Sequence, residues 1–279
     1  MWTIIAVLAL LLIAASCARK VLSAGPDGQP RDCLIIAHRA GAGLAPENSL
    51  RAVRRAMELG VDAIEIDVRL TADGELVVCH DATIERTTNG RGRVDEMSIE
   101  ELRQYRIVDA AGEATDEPMP TLGDVLWAVQ GRTRVLIEAK RTKDAEQMAK
   151  ALINEIALYG ASEWVAVQSF DGELLEHIHR LGHPCELEKL FYFKLPLVPF
   201  AYDGGLVRFS MSKYDYISSF NFNYKNLSPR LVERVHSYGK KIKVWTLDAP
   251  PKKPLPAVDG VITDRPDLWK KEPVGPLVR

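Results

Sequence analysis

His38 and Arg39 close the run LIIAHR, Glu65 and Asp67 lie two apart within AIEIDVRL, and His80 with Asp81 closes ELVVCHD. Each run is aliphatic and rich in β-branched residues, and each delivers polar groups towards its C-terminal end, where strands of a parallel α/β fold present catalytic groups. Residues i and i+2 of a strand share a face, so Glu65 and Asp67 point the same way. Two carboxylates held together resist joint ionisation unless a cation sits between them. An oxygen-only ligand set suits a hard ion such as Mg²⁺, Ca²⁺ or Mn²⁺ better than zinc, which recruits His or Cys. His38 and His80 are then free for proton transfer, one as base and one as acid, because imidazole titrates near neutrality. Arg39 adds a planar donor fork for an anionic oxygen. A fourth run, RVLIEAK, places Glu138 and Lys140 on one face, where Glu138 completes a carboxylate shell and Lys140 meets a phosphate. Taken singly, a Glu or Lys after a strand is usually a solvated loop residue. Four runs that each end in ionisable groups argue for one site, and the set of metal, acid, base and anion clamp points to phosphoester chemistry.

The elements that would position these groups alternate. SLRAVRRAMELG reads as a helix started by Ser49 and stopped by Gly60, with Leu50, Val53, Ala56 and Met57 at helical spacing. TLGDVLWAVQG, AEQMAKALINEIALYG, DGELLEHIHRLG and SPRLVERVHSYG repeat the pattern, each followed by a strand-like segment. Alternating strands and helices argue a parallel α/β fold, and residues 31–271 have the length of a (β/α)8 TIM barrel. Nine strand candidates compete for eight places, with LEKLFYF or YDYISSF expected to be the extra one. Residues 82–120, after the third strand, break the alternation and are rich in Gly, Thr and charge, which predicts an inserted lid or subdomain on the catalytic face. No Pro/Gly-rich linker divides the rest, so one domain is expected.

At this point the sequence resembles the glycerophosphodiester phosphodiesterase family. The resemblance is carried by HRAGAGLAPENS (38–49), EIDVRLTADGELVVCHD (65–81), RTTNGRG (86–92), PTLGDVL (120–126), IEAK (137–140), QSFD (168–171), VWTLD (244–248) and DGVITDRPD (259–267). It implies a TIM barrel in which His38 and His80 are the acid/base pair, Glu65, Asp67 and Glu138 bind a divalent metal, Mg²⁺ or Ca²⁺, and Arg39 and Lys140 contact the substrate phosphate. It also implies a two-step course: a glycerol hydroxyl attacks the neighbouring phosphorus to give a cyclic phosphate, and water then opens the ring. Ala40 departs from the glycine that the family commonly has after His-Arg, and Ser49 stands for the usual Thr. The stretch from Glu186 to Tyr216 matches only loosely.

The N-terminus reads differently. Thr3 through Ala15 is almost wholly aliphatic, shorter than the ~20 residues of a comfortable bilayer span and closer to a secretory h-region. Ala14-Ala15-Ser16-Cys17 resembles a lipobox, so residues 1–20 are expected to export the protein and tether it to a membrane through lipid on Cys17. No Lys or Arg precedes the apolar run while Arg19 and Lys20 follow it, which keeps an uncleaved anchor as the alternative. Cys33, Cys79 and Cys185 lack metal-like spacing; Cys79 reads as a small core residue, and a Cys33–Cys185 pair stays open. A net charge of −2 and short lysine clusters (240, 241, 243; 252, 253), read as solvated loop and helix ends, give no footprint for nucleic acid. Phe170 and Trp245, at strand ends, are candidates for a substrate pocket and equally for core. Three functions compete: hydrolysis of soluble glycerophosphodiesters, a membrane-tethered lysophospholipase D releasing lysophosphatidic acid, and a catalytically silent phospholipid-headgroup binder. All seven expected site residues are present, which disfavours the last.

Overall fold

The computed structural model of the chain describes residues 33–182, 185–191, 211–251 and 255–269. In chain order the elements are β1 (Leu34–Ala37), α1 (Leu50–Leu59), β2 (Ala63–Leu70), β3 (Leu76–Val78), α2 (Ile99–Leu102), β4 (Arg106–Val108), β5 (Ala114–Pro118), α3 (Leu122–Val129) and β6 (Arg134–Ala139). There follow α4 (Ala145–Leu158), β7 (Val165–Ser169), α5 (Gly172–Arg180), β8 (Glu186–Phe191), β9 (Ser219–Asn223), α6 (Pro229–Ser237), β10 (Lys241–Trp245) and β11 (Gly260–Thr263). Eight of the strands, β1, β2 and β6 to β11, pair in parallel, and β1 pairs with both β11 and β2, so the sheet closes into a barrel.

Alternation along each stave separates two environments. On β2, Ile64, Ile66 and Val68 are fully buried outwards in the main core with helix residues such as Val53, Leu126 and Leu152. The opposite face of β2 carries Ala63, Glu65 and Asp67. Inside the barrel, Ile36, Ala63, Leu136 and Ile262 make one small apolar layer. The helices start where the sequence puts their caps. Ser49 accepts from the Ala52 N–H, Thr121 and Asp124 form a capping box on α3, and Ser228 accepts from Leu231 with Pro229 in the first turn.

Two expectations change. The extra strand among the nine candidates is neither LEKLFYF, which falls on stave β8, nor YDYISSF, whose last two residues open stave β9 (Ser219–Asn223). It is ELVVCHD: β3 pairs antiparallel with β2, with Val68 opposite Val78 and Leu70 opposite Leu76. Only five residues, Thr71 to Glu75, join the two strands, too few for a parallel crossover and suited to a hairpin. The insertion therefore follows the third strand in the chain but only the second stave. It has its own core of Val77, Cys79, Ile84, Val94, Leu102 and Met119, and its β4–β5 hairpin stands apart from the barrel sheet. Secondly, Lys243 is not solvated; it occupies an inward position of β10 and is 6% exposed. The Cys33–Cys185 pair that the sequence leaves open does not form: neither thiol, nor that of Cys79, is in a disulfide. The N-terminal segment with Cys17, and Lys252 and Lys253, lie outside the described residues. Among those described, no helix is long and apolar enough to cross a membrane.

Candidate active site

The C-terminal mouth of the barrel gathers the site. The chain leaves β1 through a turn in which Arg39 (φ 49°), Ala40 (φ 62°) and Gly41 (φ 92°) are all left-handed. Such a conformation costs an L-residue about 1–2 kcal/mol, and hydrogen bonds hold it. The Gly41 and Ala42 N–H groups donate to the His38 carbonyl at 2.7 and 3.1 Å, and the Arg39 N–H donates to Glu65 Oε2 at 2.8 Å. Ala40, the departure noted in the sequence, takes its left-handed φ with its methyl fully buried.

Register brings the carboxylates together. β2 pairs with β6 so that Asp67 lies opposite Glu138, and Glu65 precedes Asp67 on the same face. Glu65, Asp67 and Glu138 are all buried, and each offers an oxygen within 4.8 Å of the others. Asn48 fixes Asp67, donating to its Oδ2 at 2.8 Å and accepting from its N–H at 3.2 Å. Lys140 Nζ hydrogen-bonds Glu138 and is ion-paired with Asp67 Oδ1 at 2.7 Å. Arg39 pairs with Glu47 at 3.1 Å, and its buried Nε, 3.7 Å from Asp67 Oδ2, has no acceptor. Three converging carboxylates and a buried guanidinium donor without an acceptor beside them are what a cation and a phosphate oxygen would satisfy.

Each histidine is held through the same ring atom. His38 Nδ1 is 2.6 Å from Asp264 Oδ1, and His80 Nδ1 is 2.7 Å from Asp81 Oδ1. A carboxylate on Nδ1 keeps the proton there and leaves Nε2 as the working nitrogen. His80 arrives by an unexpected route. β2 overruns the barrel rim and β3 returns along it, with the Cys79 N–H donating to the Asp67 carbonyl at 2.9 Å, so His80 comes back to the level of the carboxylates. Arg69, on the overrun, donates to the His80 carbonyl at 3.0 and 2.7 Å. From the insertion, Arg86 joins Asp81 (2.5 Å) to both oxygens of Glu47 (2.8 Å each).

The electrostatics follow from crowding. Burial raises Glu65, and the neighbouring Asp67 adds to it, pushing the group up to about 8. Asp67 is equally buried, yet Lys140, His80 and Arg39 outweigh burial and hold it well below the carboxylate range. Burial opposes a charge on His38, but the Asp264 bond and the Glu65 charge overcome it and push the imidazole up to about 9. Burial likewise opposes the Asp81 charge, and the bonds from Arg86 and His80 bring that carboxyl down to about 2.

All seven side chains singled out in the sequence thus meet in one connected cluster. Phe170 and Trp245 follow β7 and close β10 on the same face, and their rings pack edge-to-face 5.7 Å apart. The sequence reading assigns no role to Asp264, Asp81, Arg86, Glu47 or Asn48. Asp81 was the most visible, being next to His80; Asp264 lies 226 residues from its histidine, and only the closure of the barrel joins them.

Comparison with known proteins identifies the family. The Glycerophosphoryl diester phosphodiesterase family matches residues 38–268. A glycerophosphodiester phosphodiesterase of Caldanaerobacter subterraneus is 35% identical over 240 residues, 84% of this chain and 95% of that one. Among solved structures, a glycerophosphodiester phosphodiesterase of Parabacteroides distasonis has 25% identity and a TM-score of 0.68, covering 85% of this chain and 94% of its own. An Oleispira antarctica phosphodiesterase in complex with the product sn-glycerol-3-phosphate has 21% identity and a TM-score of 0.70, with 84% and 93% covered. The chain belongs to the glycerophosphoryl diester phosphodiesterase family and is an enzyme of the phosphoric diester hydrolase class.

Proposed function

We propose that this enzyme hydrolyses glycerophosphodiesters to glycerol 3-phosphate and an alcohol, with His38 and His80 as the acid/base pair and a divalent metal, Mg²⁺ or Ca²⁺, held by Glu65, Asp67 and Glu138. One observation carries the reading: two histidines, each clamped at Nδ1 by its own aspartate, border three buried carboxylates whose oxygens converge within 4.8 Å. The product in the Oleispira antarctica structure supports the substrate class. The donor set is all oxygen, which fits a hard divalent ion. Bound there, the ion supplies charge stabilisation for phosphoryl oxygens.

The chain's own groups do the rest. The Nε2 of one histidine takes the proton of the glycerol hydroxyl beside the phosphoester, and that oxygen bonds to phosphorus as the bond to the alcohol breaks. The Nε2–H of the other protonates the departing alkoxide. The cyclic phosphate opens when water, deprotonated by the second histidine, attacks phosphorus and the first returns its proton to the glycerol oxygen. Arg39, with its free Nε, and Lys140 bind the non-bridging oxygens. Phe170 and Trp245 wall the substrate.

An open groove favours a second reading. A cavity of about 610 Å³ lies between the β1–α1 loop and the insertion, lined by Leu44, Ala45, Pro46, Ile107 and Val108, and reaches Glu47 and Arg86. Its apolar wall fits an acyl chain, and with a membrane-tethered N-terminus lipidated at Cys17 it would suit a lysophospholipase D.

The test is to incubate the full chain with glycerophosphocholine and with lysophosphatidylcholine, with Mg²⁺ or Ca²⁺ and with chelator. Chelator-sensitive release of glycerol 3-phosphate from the first is the expected result; lysophosphatidic acid from the second would favour the other reading. His38→Ala and His80→Ala are each expected to lose at least ~10³-fold in turnover while circular dichroism stays that of the wild type. Retained turnover in either folded variant would overturn the assignment.

A further inference from the structure

The barrel interior next to the carboxylate cluster is polar where it could have been apolar. Glu188, Asn221 and Gln168 are at most 1% exposed and Lys243 is 6% exposed. Strand register sets them side by side. Glu138 pairs with Gln168 and Gln168 with Glu188 across β6, β7 and β8, while Asn221 pairs with Lys243 across β9 and β10. Their hydrogen bonds form one directed chain. Lys243 binds Glu188 Oε1. Asn221 Nδ2 donates at 2.8 Å both to Glu188 Oε2 and to Gln168 Oε1, and Asn221 Oδ1 accepts from the Ser219 hydroxyl at 2.8 Å. Gln168 Nε2 then donates to Glu65 Oε1 at 3.3 Å.

Direction is what this chain fixes. With its oxygen on Ser219 and both amide hydrogens committed, Asn221 has one orientation. Gln168 must therefore turn its carbonyl to Asn221 and its N–H to Glu65; flipped, it would set an oxygen against a carboxylate and an N–H against an N–H. The second oxygen of Glu65 is held by the Arg39 N–H at 2.8 Å, so each oxygen has one fixed donor and a lone pair left over. A buried ion pair such as Lys243–Glu188 adds little net stability, and apolar replacements of similar volume are often neutral. The neighbouring layer of Ile36, Ala63, Leu136 and Ile262 is of that apolar kind. The ion pair's evident consequence is orientation.

We propose that Gln168, Asn221 and the Lys243–Glu188 pair are a positioning relay that holds Glu65 in one orientation for divalent-cation binding, with Asn221 acting through Gln168. The proposal rests on the reading of Glu65 as a metal ligand. Partners outside the ligand shell commonly govern affinity in this way, at about 10–100-fold each.

The experiment is calorimetric titration of the metal-free full chain with Mn²⁺ and with Ca²⁺. Gln168→Leu and Asn221→Leu are each expected to weaken binding about 10-fold or more. The double variant is expected to lie within about 2-fold of Gln168→Leu, because the two act in series. Leu175→Ala, a core truncation in α5 with no link to Glu65, should lower thermal stability and leave the affinity unchanged. Should Asn221→Leu fail to fold, Glu188→Leu combined with Lys243→Met removes the anchor of Asn221 without leaving a lone charge, and the same loss of affinity is expected. Wild-type affinity in folded Gln168→Leu, or additive losses in the double variant, would overturn the relay. A wild-type chain that binds neither cation would instead overturn the metal reading on which the relay rests.

Discussion

At the scale of single residues, the two histidine–aspartate pairs set the chemistry. Asp264 and Asp81 each hold a histidine Nδ1 within 2.7 Å, which selects the tautomer and aims Nε2. An amide in either place can present its NH2 to the ring and stabilise the wrong tautomer. Asp264→Asn and Asp81→Asn are therefore expected to lower kcat by about 10²-fold or more, with KM changed less than about 3-fold and an unaltered circular dichroism spectrum. Steady-state kinetics on glycerophosphocholine reads both numbers, and an unchanged kcat would remove the orienting role. The histidines, Arg39 and the carboxylates were legible because each lies at or near the end of its own apolar run. Asp264 was not, because a single carboxylate 226 residues away carries no local mark of its partner. Lys243 was misread for a related reason. A lysine among lysines looks solvated, and only its place on the inward face of β10, beside Asn221, puts it on Glu188.

At the scale of elements, capping chemistry was the clearest signal and strand pairing the weakest. Ser49 begins its helix as the sequence indicated, and Thr121 and Ser228 open the runs TLGDVLWAVQG and SPRLVERVHSYG in the same way, because an N-cap is a local interaction. Parallel and antiparallel strands share the same alternation, so β3 looked like another stave; the five-residue link with Asp73-Gly74 was the clue that it returns on β2. The capping box of α3 supports a prediction about pH. Asp124 accepts from the Thr121 N–H and hydroxyl and from Arg103 of the insertion. Burial acts against its charge, but these bonds prevail and lower it below the ordinary value of 3.8. A carboxylate lowered on folding contributes stability that is complete above its unfolded value and is lost as pH falls through the folded one. Asp124→Asn is expected to cost about 1 kcal/mol at pH 7, tempered by the solvent exposure of the Arg103 pair. Below about pH 4 the difference from the wild type should shrink steadily. Urea unfolding at pH 7, 5, 4 and 3 measures it, and a difference that stayed constant or grew towards pH 3 would contradict the cap.

At the scale of the whole molecule, eight staves from across the chain close around a centre where burial and like charge work against folding. Glu65, Asp67 and Glu138 converge with their oxygens within 4.8 Å, and Lys140, Arg39, the two histidines and fixed donors offset the repulsion. The enclosing barrel was legible in the rhythm of strands and helices, but its charged centre exists only when β2 and β6 pair and set Asp67 opposite Glu138. A ligand that binds the folded state alone stabilises it by mass action, by about 2.7 kcal/mol at a hundred times its dissociation constant. In a domain of this size each kcal/mol moves the melting temperature by about 2–4 °C. Saturating Ca²⁺ or Mg²⁺ is therefore expected to raise the Tm of chelator-stripped protein by about 5–10 °C, and EDTA should return it. Asp67→Asn should lose most of this shift, because it removes one of the three converging carboxylates. A wild-type Tm indifferent to both cations and to EDTA, in a protein that still turns over glycerophosphocholine, would show that the chain's own cationic groups balance the cluster and that catalysis proceeds without a metal.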